Sequence, residues 1–439
     1  MVEATVAASA KRKAYVNMIL PLFIISVIAF LDRVNVGYAA LTMNKDLNFS
    51  AQVFGLGAGI FFAGYVIFEI PGALIAEKYS PRFWLARIMI SWGVVCGLMA
   101  FMSTTWEFYL YRFLLGAAEA SLYPVLYASC IPRWFNAADR ARAIALMLTS
   151  MQVSAIIGAP LAGMLLEVSI FGLKGWQTLF ILEALPAVIF GFIIVYWMAD
   201  WPKDAKWLTQ EERDYLQKQY EDEVAMKTAV KRYSVMDAFK DKEVLKLCLA
   251  YFCWITGFWG FNYWMPQVLK SVSGWSNMKI GWLVVIPMAI SLAVMLYIGH
   301  SSSKRNEKRW HGAIGMFIGA IGLGVGVFMT DPVISLFFLT LAAVGTYAPF
   351  GVWWSYPTTF LSGPAAAGAI GLINSCGNIG GFIGPYVTGF VKDATGSFVG
   401  SWVYLACSLL VAGGIMLTLK NKTADQEVPE AEAGFTVAK

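Results

Sequence analysis

Apolar runs of about 20 residues succeed one another along almost the whole chain, each long enough to cross the hydrocarbon core of a bilayer as a helix. The first covers residues 17–38, the second 53–76, and the third follows the basic turn Glu77-Lys-Tyr-Ser-Pro-Arg82. The fourth contains Tyr111 to Pro124, the fifth covers 141–167 and the sixth 176–198. The pattern then changes abruptly. Residues 199–243 are charged and polar, and Thr209 with Glu212 forms a capping box before an acidic first turn, which predicts an amphipathic linker helix off the membrane. A second set of six apolar runs fills 244–420. The expectation is an all-α membrane protein of twelve transmembrane helices in two pseudo-symmetric six-helix bundles, 17–198 and 244–420, with tails at 1–16 and 421–439.

A weak internal repeat supports the two halves. The fifth helix carries Gly158-Ala-Pro-Leu-Ala-Gly163 and its counterpart carries Gly384-Pro-Tyr-Val-Thr-Gly389, each a glycine, a nearby proline and a second glycine five positions on. Composition agrees, with 58% hydrophobic and 14% charged residues and a mean hydropathy of +0.62. Lysine and arginine collect in alternate loops, which places both termini in the cytoplasm and implies an even number of spans. The basic balance therefore reports topology and not nucleic-acid binding. The six cysteines lack metal-like spacing, and with two histidines and no Walker or His-Glu-x-x-His motif there is no catalytic constellation and no cofactor site.

Ionisable groups inside the spans carry the functional reading, because charge in a bilayer is costly and survives mainly where it works. Asp32 and Arg33 are adjacent in the first span, so their side chains point about 100° apart and at most one faces a cavity squarely. Arg112 and Glu119 are seven apart in the fourth span, which on a continuous helix brings them within about 20° of one face and roughly 10 Å apart. That face would also hold Gly116 and Tyr123. Glu69 and Glu183 are candidates for structural pairing with an arginine such as Arg87. The C-terminal half has only Asp331 as an ionisable group between His311 and Lys392 and offers polar and aromatic groups instead, among them Asn262, Trp353 and Asn374. The aromatic run from Tyr251 to Trp264 reads mainly as lipid-facing or core packing.

Leu31-Asp32-Arg33 with Asn35, Arg112 with Glu119, Trp207 to Arg213, and Pro357-Thr-Thr-Phe-Leu-Ser-Gly363 leading into Asn374 resemble the major facilitator superfamily, and within it the anion:cation symporter family. The resemblance covers nearly the whole chain outside its termini. It implies carriage of organic anions with protons or sodium across a bacterial inner membrane. Asp32 and Glu119 match the family's proton-coupling carboxylates, Arg33 and Arg112 its anion-binding or gating arginines, and Tyr65, Gln152 and Asn374 polar positions of its central cavity. The superfamily's Gly-x-x-x-Asp-Arg-x-Gly-Arg loop is degenerate here, since Gly72-Ala-Leu-Ile-Ala-Glu77-Lys-Tyr-Ser-Pro-Arg82 lacks the middle arginine. Glu77 and Arg82, with Arg140 and Arg142, are the gating candidates. The expected activity is proton-coupled symport of a small carboxylate by a monomer with no cofactor beyond the coupling ion. Exchange or sodium coupling uses the same cavity, and a carboxylate sensor signalling through the linker is the alternative from another class.

Overall fold

The computed structural model describes residues 2–170, 172–228, 241–356 and 363–419. The expected tail 421–439, part of the linker and nearly all of the run 357–363 lie outside the described residues. The described chain is almost entirely helical. The long helices are α1 (Leu20–Asp46), α2 (Ala51–Lys78), α3 (Pro81–Met99), α4 (Thr105–Glu119), α5 (Asp139–Leu165) and α6 (Gly175–Trp197) in the first half. The second half holds α7 (Lys242–Ser273), α8 (Asn277–Arg305), α9 (Arg309–Gly326), α10 (Pro332–Tyr347), α11 (Gly363–Thr395) and α12 (Val399–Thr418). Ten helical segments among the described residues are long and apolar enough to cross a membrane; α9 and α11 are not among them.

The polar turns between apolar runs act as helix caps. Ser50, Ser80, Thr104, Asp241, Ser276 and Asp331 each accept a backbone N–H at the start of the following helix, and Thr104 forms a full capping box with Glu107. The expected single fourth span is interrupted. Helix α4 ends at Glu119, Ser121 takes a left-handed φ of 70°, and the chain resumes through Leu122–Pro124 into a π-helical turn, Val125–Cys130. Pro124 has no N–H for the carbonyl of Ala120, so the ladder cannot run through that point. Tyr123 is therefore not in helical register with Arg112 and Glu119.

Two sets of helices pack around the site. In the first half α1 meets α5 and α6, α3 meets α6, and α2 meets α4; in the second α7 meets α11 and α12, and α9 meets α10 and α12. Among the described residues the main contacts between the halves are α1 with α7, α2 with α11, and α5 with α8, and Phe350–Trp353 also touches Ala137–Leu148. Both glycine–proline repeats lie on these seams. A Cβ on Gly163 would come within 2.6 Å of the Asn277 carbonyl on α8, and one on Gly389 within 2.2 Å of the Ala51 carbonyl on α2. The seams close at the end of the bundles remote from the linker, called here the far end. Two reciprocal carboxylates secure it. Asp393 of α11 accepts the backbone N–H groups of Ala51 (3.0 Å) and Gln52 (2.7 Å) at the start of α2, and Glu167 after α5 accepts that of Met278 (3.0 Å) at the start of α8. Each places negative charge on a positive helix terminus of the opposite half. Gly389→Ala is expected to lower the thermal midpoint through overpacking worth about 1–3 kcal/mol, whereas Gly414→Ala, where a Cβ meets nothing within 4 Å, should leave it unchanged; thermal unfolding in detergent reads both.

At the opposite end the N-terminal helix Val2–Ala14 leads into α1 and lies on the linker helix Gln210–Thr228. Glu212 is 3% exposed and accepts from Ser9 (2.6 Å), Lys13 (2.8 Å) and the Thr209 backbone (2.8 Å). Burial pushes its carboxyl up, but these hydrogen bonds, Lys13 foremost, outweigh that and hold it down at about 2. A depressed carboxyl stabilises the docking above its ordinary value of 4.5, and that stabilisation is lost as pH falls from 4.5 towards about 2. Hydrogen exchange over residues 5–14 should accelerate across that window, and Glu212→Gln should accelerate it already at neutral pH by about tenfold or more, the scale of one charged hydrogen bond.

Candidate functional site

Arg33, Glu119 and Arg112 converge where α1, α2 and α4 face α7. Arg33 on α1 is 6% exposed and its Nη2 donates to Glu119 Oε1 in a buried ion pair. Five rings surround that guanidinium, with Phe61 at 4.9 Å, Tyr65 at 5.2 Å, Phe30 and Trp259 at 5.6 Å and Tyr123 at 5.8 Å from Cζ. Trp259 comes from the second half, so the cage spans the interface between the halves. A charge pair in so apolar a setting is costly to bury and costlier to break, about 3–5 kcal/mol when one partner is removed.

Arg112 does not reach a carboxylate. It is fully buried, and its Nε donates to the Gly57 carbonyl (3.1 Å) while Nη2 donates to the Ala58 carbonyl and to Tyr263 Oη of α7, both at 3.2 Å. Its Nη1 has no hydrogen-bond partner among the described residues. The glycine at 116 makes this approach of α2 and α4 feasible, since a Cβ there would sit 1.9 Å from the Phe61 carbonyl. Arg33 and Arg112 thus flank Phe61, with Glu119 as the one acid in direct ion pairing.

Asp32 points the other way. Its Oδ2 accepts Trp92 Nε1 of α3 at 2.5 Å, and its Oδ1 has no partner among the described residues. One turn along α1, Asn35 donates to Glu183 Oε2 of α6 at 2.6 Å, and Glu183 Oε1 is likewise unpartnered. Both acids lie within the first bundle. The expected arginine pairing of Glu183 is not what the structure shows: Arg87 donates to the Ala118 carbonyl (3.1 Å) and covers the Trp84 ring at 4.0 Å. Glu69 is bound across the halves, accepting from Asn374 (2.9 Å) and Asn378 (3.4 Å) of α11.

The other candidates are placed as follows. Gln152 is fully buried at the α5–α8 seam, with Nε2 3.3 Å from Met295 Sδ. Asn262 donates to the Phe258 carbonyl and accepts from Tyr347, both at 2.7 Å, so its amide is committed to the second bundle. Trp353 is buried and stacks on Tyr251 at 5.2 Å. The α7 aromatics Tyr251, Trp254, Phe258, Trp259, Phe261, Tyr263 and Trp264 are all under 9% exposed, which makes them core and site lining, and Phe252 of the same run is half-buried. At the linker end, Glu77 pairs with Arg133 (2.9 Å), Arg82 lies 4.0 Å from Asp200, Arg140 pairs with Glu223 of the linker helix, and Arg142 is exposed 3.9 Å from Asp139. These four contacts stay within the first bundle and the linker. No group of three or more His, Cys, Asp or Glu suited to a metal occurs among the described residues.

Two helical bundles closed at one end around a buried, charged interface define a membrane carrier. The chain belongs to the major facilitator superfamily, whose sequence profile matches residues 22–385. It is 42% identical over 418 residues to an Agrobacterium vitis protein named "Putative tartrate transporter", covering 94% of this chain and 95% of that one. It is also 32% identical to the inner membrane transport protein RhmT of Escherichia coli K12, covering 94% and 96%. Among solved structures, a D-xylose-proton symporter superposes with a TM-score of 0.73 at 16% identity, covering 92% of this chain and 98% of that one. An inward-facing, unoccupied bacterial homologue of the human lysosomal transporter Spinster gives 0.72 at 17%, covering 91% and 94%. The protein is a transporter and not an enzyme.

Trp92→Phe preserves most of the ring volume and withdraws the N–H from Asp32. A loss of about 1–3 kcal/mol is expected for the orphaned group, read as a lower thermal midpoint, against a smaller change for Trp402→Phe, whose indole nitrogen has no partner among the described residues.

Proposed function

We propose that the protein is a proton-coupled symporter of a small organic carboxylate, working by alternating access between its two bundles. The observation that carries this reading is the interface itself, where two buried arginines, Arg33 and Arg112, face one directly paired carboxylate, Glu119. Two guanidinium groups beside an aromatic cage suit one carboxylate of a substrate, held through charge-assisted hydrogen bonds. A proton on Glu119 removes its charge and leaves Arg33 for the incoming anion, so substrate binding and protonation become linked. Asp32, whose second oxygen is free, is the other proton-coupling candidate. Tyr65, Gln152, Asn262, Trp353 and Asn374 complete the proposed lining, and Glu77, Arg82, Arg140 and Arg142 order the linker end. The name of the Agrobacterium relative supports a hydroxy-dicarboxylate within the substrate class. The full reading includes twelve spans, both termini in the cytoplasm, the bacterial inner membrane and a monomeric carrier.

Vesicles containing the purified protein and a pH dye, challenged at zero membrane potential with tartrate, gluconate and phthalate, test this directly. At least one acid should drive proton entry. Glu119→Gln should lose proton-driven accumulation while keeping exchange of label, and Arg33→Ala should weaken apparent affinity by about thirtyfold or more, as for one partner removed from a buried charged contact. Transport without proton entry would make the protein an exchanger or a sodium-coupled carrier, and binding without transport would make it a sensor.

A further inference from the structure

Helices α2 and α11 touch along a seam that begins at the far end and stops at Glu69. Pro385, Phe382 and Gly389 of α11 lie against Gly55 and Gly59 of α2, where an added Cβ would fall 2.5 Å from the Pro385 carbonyl and 2.7 Å from that of Phe382. Gly381 follows, against the Phe62 ring. The last link is polar. Glu69, 7% exposed, takes the amide of Asn374 on Oε1 and that of Asn378 on Oε2. One turn further towards the linker end the α11 surface is open, since a Cβ on Gly371 meets nothing within 4 Å. Gly371 lies within about 60° of both asparagines around the helix, so this open space continues their face.

The position is unusual in charge as well as place. Helix α11 has no charged side chain between Gly363 and Lys392, so Glu69 brings the first half's charge onto an otherwise neutral surface of the second. The titratable groups that face it are Arg33 of α1, Tyr65 one turn back on α2, and Tyr251 of α7, with Glu119 and Tyr127 beyond them. Arg33 is already engaged by Glu119, and the asparagine amides are the direct partners of Glu69.

We propose that Glu69 is a proton-binding latch of the transport cycle, whose carboxylate holds Asn374 and Asn378 across the seam and whose protonation releases α11 from α2. The step is the addition of one proton and nothing else. The oxygen that takes it becomes an O–H donor, one asparagine N–H loses its acceptor, and the remaining contact loses its charge assistance. The ionised latch therefore favours the arrangement seen here, with the far end closed, and acid shifts the population away from it. The released amides face the central site and are then available to substrate. This extends the alternating-access reading above and depends on it for the two-state cycle, though not for the identity of the cargo.

The test needs no substrate. Gly371→Cys, in a Cys376→Ser, Cys407→Ser background, is labelled with N-ethylmaleimide in vesicles from pH 8 to 5.5, each rate divided by that of the same cysteine in unfolded protein at the same pH. The normalised rate should fall roughly threefold or more towards acid pH as the arrangement that leaves Gly371 facing open space is depopulated. Glu69→Gln should make it independent of pH, and the Asn374→Ala, Asn378→Ala pair should do so from the other side of the seam. A flat profile before those changes, or an unaltered acid-dependent fall in both variants, overturns the latch. A Glu69-dependent fall in a protein that carries none of tartrate, gluconate or phthalate would support the latch while rejecting the carboxylate reading.

Discussion

The buried Arg33–Glu119 pair is the interaction around which this structure is arranged. Neither charge can be left alone in so apolar a setting, so α1 and α4 must approach in one register and the rings of Phe30, Phe61, Tyr65, Tyr123 and Trp259 must close around the guanidinium. The neighbouring Asp32 is forced by helical geometry onto another face, and there α3 supplies Trp92 to receive it. The break after Glu119 follows the same demand: Pro124 ends the ladder, and the redirected chain returns Tyr123 to the cage although it has left the helical stripe.

A second constraint is that the two halves must meet along their seams without leaving buried backbone unpaired. Glycines along α2–α11 and α5–α8 let the helices meet backbone to backbone at the far end. Asp393 and Glu167 add carboxylates to helix termini across the seams. Farther in, the seam becomes polar at Glu69, where separation no longer costs only packing. The linker end is organised differently, by ion pairs and by Glu212 beneath the N-terminal helix, all within the first bundle and the linker.

Much of the fold and part of the site were legible in the sequence. Apolar runs of bilayer length, capping residues at their starts and the polar break after residue 198 determined helices, loops and two halves, because each is a local consequence of hydropathy and backbone hydrogen bonding. The cost of charge in lipid singled out Asp32, Arg33, Arg112 and Glu119 by the same local logic. Partner choice was not local. Only the packing of helices distant in sequence decided that Arg33 and not Arg112 pairs with Glu119, that Arg112 is satisfied by backbone carbonyls and Tyr263, that Glu183 meets Asn35, and that Glu69 reaches two asparagines more than 300 positions away. A helical period tells which residues share a face, but which face meets which is settled by how all the helices fit together at once.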